Sequence, residues 1–90
     1  MELRDEVLDR LARLLGPDSR VLPPLLRSLR GFRTVEDLSR EVGASPQTVK
    51  YLLGKLRRHG LLRTLRMEGR LHYSLDPPAV GSVVEGWKTP

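Results

Sequence analysis

Residues 34–60 read TVEDLSREVGASPQTVKYLLGKLRRHG, and the reading of this stretch decides the fold. Val35, Leu38 and Val42 recur at helical spacing. Thr34 caps that helix, and Asp37 stands three residues on, where a capping box places its acid. Gly43 ends it, because glycine takes the left-handed conformation cheaply. Only Ala44 separates Gly43 from the next cap, Ser45, and Pro46 occupies a first helical position where its missing N–H costs nothing. The second helix spans 45–59, with Gly60 behind it. Val49, Leu52, Leu53 and Leu56 form its buried face. Gln47, Thr48, Lys50, Tyr51, Gly54 and Lys55 lie mainly on its other faces, and Gly54 weakens it by up to ~1 kcal/mol relative to alanine.

Beyond Gly60 the period changes from helix to strand. Residues 61–66 read as one strand, and Leu71, Tyr73 and Leu75 alternate with His72 and Ser74 in a second. Met67-Glu68-Gly69-Arg70 is the turn between them. Arg63, Arg66 and Arg70 fall on the outer face or tip of this hairpin. Before residue 34, Leu3, Val7, Leu8, Leu11, Leu14 and Leu15 make one apolar stripe on a first helix, which Gly16-Pro17 stops. A leucine-rich helix at the end of a small domain is expected to share in dimerisation. Pro23-Pro24 leaves two readings of the next segment. Either a short turn covers 19–22 and a helix follows from Pro23, or the helix bends there; Gly31 ends it. After Asp76-Pro77-Pro78, Val80, Val83, Val84 and Trp87 allow a short last helix over 79–87, weakened by Gly81 and Gly86.

Ninety residues make one domain with a thin core. No apolar run approaches the ~18 residues of a membrane span. A signal peptide is not evident, so the expected compartment is the cytoplasm. The sequence has no cysteine, which excludes disulfides, thiolate metal sites and cysteine nucleophiles. His59 and His72 are the only histidines, too few for a tetrahedral metal site without further ligands, so no metal and no cofactor are expected. There is no glycine-rich phosphate loop, nucleophile elbow or HExxH. Glu36 and Asp37 are explained by a helix's first turn. The chain is therefore not expected to be an enzyme.

Charge placement is more informative than the net +5. Residues 1–41 hold eight bases and eight acids and are neutral. Residues 42–75 hold seven bases and one acid, Glu68, and residues 76–90 are net −1. A basic second half implies a polyanion on one side of the molecule. Two helices joined by a tight glycine turn and followed by a basic hairpin are the layout of a helix-turn-helix with a wing. The fold class is thus mainly α with a small β-hairpin wing, in the order α-α-α-α-β-β with a possible short C-terminal helix. In such a layout the 45–59 helix enters the major groove. Ser45, Gln47, Thr48, Lys50 and Tyr51 are the side chains expected to meet DNA. Gln47 is suited to adenine and Thr48 to a phosphate or a thymine methyl. Lys50 and Lys55 suit phosphates, and Arg63, Arg66 and Arg70 the backbone or a narrow minor groove.

The span 34–75 also resembles a family. The matching residues are Thr34-Val35-Glu36-Asp37-Leu38, Val42-Gly43-Ala44-Ser45, Thr48-Val49, Leu52, Leu56 and His59-Gly60-Leu61-Leu62. The wing adds Glu68-Gly69-Arg70-Leu71-His72-Tyr73-Ser74-Leu75. Together they resemble the winged helix-turn-helix of ArsR-like bacterial and archaeal repressors, and they leave MarR-like and other winged-helix families open. The resemblance implies a DNA-binding regulator, a homodimer built from the first and last helices, and a palindromic operator. On this reading residues 1–90 form one winged-helix domain, with a dimerisation-type helix over 1–16, the helix-turn-helix over 34–60 and the wing over 61–75. Ser39 stands where such families often carry alanine. Lys50-Tyr51 replaces their serine followed by arginine or histidine, so no operator sequence carries over. The rival expectation is an interaction module of a larger assembly, with the first helix and the Trp87 tail as its surface. A weaker rival is RNA binding through the same basic face.

Overall fold

The computed structural model describes residues 2–88, and the side chains of residues 2–86. Its elements are α1 (Asp5–Leu15), α2 (Leu22–Ser28), α3 (Val35–Val42), α4 (Pro46–Arg58), β1 (Leu62–Met67), β2 (Arg70–Leu75) and α5 (Pro77–Lys88). This is the helical order with a single hairpin wing that the sequence predicts. Among the described residues the buried hydrophobic core is wholly aliphatic. Leu8 and Leu11 of α1, Leu25 and Leu26 of α2, Leu38 of α3, Val49 and Leu56 of α4 are sealed from solvent together with Leu61, Leu75 and Val80.

Local chemistry explains most of the boundaries. The Ser19 hydroxyl accepts from the Leu22 N–H at 3.1 Å, so a turn precedes α2 and both prolines fall inside its first turn. Helix α2 ends at Ser28, before Gly31, because the Leu29 carbonyl is taken by β2. It accepts from the Leu75 N–H at 2.8 Å and from the buried Ser74 hydroxyl at 3.1 Å. Just beyond, Arg33 and Tyr73 exchange backbone hydrogen bonds of 2.9 and 2.8 Å, which ties the wing to the body on its inner edge.

The α3–α4 turn is fixed three times over. Thr34 accepts from the Asp37 N–H at 3.1 Å while Asp37 accepts from the Thr34 N–H at 3.2 Å, a complete capping box. Gly43 has φ 66°, the left-handed value. The Ser39 hydroxyl donates to the Ala44 carbonyl across the turn, a bond that alanine at this position would not make. Ser45 then caps α4 by accepting from the Thr48 N–H at 3.1 Å.

Strands β1 and β2 pair antiparallel from Leu62↔Leu75 to Met67↔Arg70. Glu68 (φ 52°) and Gly69 (φ 75°) both take positive φ, as a two-residue type I′ turn requires. The alternation read in β2 does not hold; burial instead rises steadily from its tip to its base. Leu75 is buried, but Leu71 is 40% exposed and Ser74 is buried instead. The outer half of the hairpin projects past the body, so it has no core to face. Helix α5 starts at Pro77, two residues before the expected 79, because the Asp76 carbonyl accepts from the Val80 N–H and opens the first turn. Val80 and Val84 bring it onto the core, where it packs against α1. The side chain of Trp87 lies outside the described residues.

The capping box carries a pH dependence. Hydrogen bonds from the Thr34 backbone and hydroxyl, with Arg40 nearby, hold the Asp37 carboxyl below the usual carboxylate value. A depressed folded-state pKa stabilises above the unfolded-state value, and that stabilisation is lost as pH falls through the folded one. Urea midpoints of wild type and Asp37→Asn are therefore expected to differ most at neutral pH. The gap should close as pH drops through and below the ordinary aspartate range.

Candidate nucleic-acid interface

Helix α4 is buried along Val49, Leu52, Leu53 and Leu56 and open on the opposite side. At 100° per residue, Gln47, Tyr51, Gly54 and Arg58 share the outermost stripe. Tyr51 is 66% exposed, the most exposed large apolar side chain among the described residues. Ser45 and Thr48 are exposed at the helix start, their hydroxyls 3.0 Å apart.

The two flanks of the stripe differ. On one, Lys50 and Arg70 line a common cleft of about 290 Å³ with Thr34, Val35, Glu36, Pro46 and Leu71. This cleft joins the start of α4 to the wing tip. On the other flank, the Lys55 ammonium lies back over the α1–α2 turn, 3.8 Å from where a Cβ on Gly16 would stand. On the wing, Arg66 Nη1 is 3.5 Å from the Gly69 carbonyl, and Leu65 and Met67 are 43% and 40% exposed. Arg63 is drawn away from the tip. Its guanidinium donates to Asp76 at 3.1 and 3.3 Å, at the foot of the hairpin. Thus Ser45, Gln47, Thr48, Lys50 and Tyr51 lie exposed along α4, Lys50 and Arg70 share one cleft, Arg66 lies at the wing turn, Lys55 leans back toward the α1–α2 turn, and Arg63 is held in an ion pair.

Ion pairing divides the cations unevenly: five of the eight in residues 1–41 are paired, Arg10, Arg13 and Arg20 having no acid within ion-pair distance among the described residues, against one of the seven in residues 42–75. Arg4, Arg27, Arg30, Arg33 and Arg40 of the first half each pair with an acid, namely Glu2, Asp9, Asp5, Glu41 and Asp37. In the second half, among the described residues, Arg63 alone is seen to do so. Among the described residues Lys50, Lys55, Arg57, Arg58, Arg66 and Arg70 have no acid within ion-pair distance. Arg57 and Arg58 belong to this set and were not singled out by sequence. The i, i+4, i+7, i+11 spacing from Gln47 to Arg58 was the signal available.

No protein-family model matches the chain, and no curated protein matches it. Solved structures do. The AntR antimony-specific transcriptional repressor is 32% identical, with a TM-score of 0.59, over 92% of this chain and 74% of that one. The chain belongs to the ArsR-like winged helix-turn-helix regulators. The repressor BigR from Xylella fastidiosa is 28% identical over 94% of this chain and 85% of its own, with a TM-score of 0.62. A homodimeric winged helix-turn-helix DNA-binding domain from Mycobacterium bovis, described as a possible ArsR-family regulator, shares the fold. Its TM-score is 0.63 at 24% identity, over 98% of this chain and 84% of that one.

Within this ArsR-like chain, no group of three or more His, Cys, Asp or Glu among the described residues could hold a metal ion. His59 and His72 instead turn their Nδ1 atoms to the carbonyls of Lys55 and Arg70, at 2.9 and 3.1 Å. No helix among the described residues is long and apolar enough to cross a membrane.

Proposed function

We propose that the chain is a DNA-binding transcriptional repressor that acts as a cytoplasmic homodimer and is not an enzyme. One observation carries this reading. The cations of the second half that lack acid partners all lie on α4 and the wing, around an exposed stripe of Gln47 and Tyr51. A surface of that kind meets phosphates on its flanks and base edges along its centre. Ser45, Gln47, Thr48 and Tyr51 would enter the major groove with the start of α4. Lys50, Arg66 and Arg70 would hold the backbone on the wing side, with Lys55 on the other. Arg63 would act chiefly through Asp76, by stiffening the foot of the wing. The whole chain would act as one winged-helix domain with α1 and α5 forming the dimer face; the Mycobacterium bovis domain of the same fold is homodimeric. Two such helices bind half-sites about one helical turn apart, ~34 Å. Repression would follow by occlusion. The interaction-module reading is not favoured, because the exposed large apolar residues among those described are Tyr51, Leu65, Met67 and Leu71, on α4 and the wing rather than on α1.

The test is fluorescence anisotropy with a random-sequence duplex across a salt series. Binding is expected, with log K falling against log salt by roughly 3–5 per protomer. Absence of binding at low salt would overturn the reading. Once a preferred sequence is selected, Gln47→Ala should flatten the preference at one base pair by about 1–3 kcal/mol. An unchanged preference would show that Gln47 does not read a base.

A further inference from the structure

Gly54 stands in the middle of α4, where glycine weakens a helix relative to alanine. Nothing in the packing of the described residues around it requires it. A Cβ built there meets no neighbouring helix, and the one atom within 4 Å is Nη1 of Arg58, at 3.7 Å. Yet Gly54 is only partly exposed, although Gln47, Tyr51 and Arg58 on the same stripe are exposed. The Arg58 side chain therefore runs back toward the start of α4 and lies over the bare backbone at Gly54, the direction in which long helical side chains lean. Its guanidinium thus lies back toward the preceding turn of α4, beside Gly54. It makes no ion pair or hydrogen bond with any other side chain among the described residues.

We propose that Arg58 contacts a DNA backbone phosphate, and that Gly54 is the positioning residue that keeps its track along α4 open. This rests on the duplex reading above. The phosphodiester is the partner because Arg58 belongs to the far half of α4, away from the Ser45 end that enters the groove, where the helix rises toward the groove wall. A planar guanidinium laid along that wall suits two phosphate oxygens at once. A side chain longer than alanine at position 54 would occupy the track and swing Arg58 off the stripe.

Four variants, Arg58→Ala, Gly54→Ala, Gly54→Leu and the double Gly54→Leu/Arg58→Ala, test this by anisotropy on a random-sequence duplex across salt, with thermal melts alongside. Arg58→Ala should weaken binding about tenfold and lower the salt slope by about one per protomer. Gly54→Ala should raise the melting temperature by roughly 4 °C. Gly54→Leu should bind as weakly as Arg58→Ala, and should add nothing in the Arg58→Ala background. Wild-type binding by Arg58→Ala or by Gly54→Leu would overturn the proposal. So would additive losses in the double variant, which would mean that position 54 guards space for DNA itself. A wild-type protein that binds no duplex would remove the duplex reading and this proposal together, whereas duplex binding untouched by Arg58→Ala removes the proposal alone.

Discussion

Lys50→Glu combined with Arg70→Glu is expected to weaken binding to every duplex by about a hundredfold or more at 0.1 M salt, with little change in the melting temperature. The two cations come from different elements, α4 and β2, and line one cleft without an acid partner among the described residues. A hydrogen bond to a charged group contributes about 1.5 kcal/mol or more. Two lost contacts come to about 3 kcal/mol, or roughly a hundredfold in affinity. Reversing the charges beside Glu36 adds repulsion toward phosphates. Both side chains are exposed, so the fold should change by no more than ~0.5 kcal/mol. Anisotropy and a circular-dichroism melt of the same preparation separate the two effects. Binding retained at wild-type strength would show that the cleft does not face DNA.

Leu56→Ala is expected to have the largest effect on stability. Leu56 is sealed from solvent on α4, and its carbonyl accepts from the His59 and Leu61 N–H groups where the helix gives way to the wing. Truncating a buried leucine costs about 2–5 kcal/mol. A chain of this length has only roughly 5–13 kcal/mol in all. The melting temperature should fall by about 10 °C or more, measured at fixed protomer concentration. A smaller loss would mean that the site collapses around the missing methyl groups.

Much of this fold was legible because its signals are local. The Thr34–Asp37 box, Gly43, the Ser45-Pro46 start and the Glu68-Gly69 turn each act within four residues, and each stands where sequence put it. What sequence missed depends on partners far along the chain. Helix α2 stops early because β2 claims the Leu29 carbonyl, some 45 residues away. The same bond buries Ser74 against the apparent alternation of its strand. The candidate interface divides the same way. Periodicity was enough to show which face of α4 is open. Composition did not show that Arg63 is engaged by Asp76, 13 residues on, or that Arg58 folds back over Gly54.

The uneven pairing of charges has a kinetic consequence. Five of the eight arginines in residues 1–41 carry their own counter-charge and that half is neutral overall, so it offers a polyanion little long-range pull. The uncompensated cluster on α4 and the wing offers a strong one. On the proposed reading the molecule would behave as an oriented dipole in the field of a duplex, and encounters would begin with the α4 and wing face already turned inward. Association should then be fast and steeply slowed by salt, while a bound complex sheds its counterions and can slide along the duplex in search of its site.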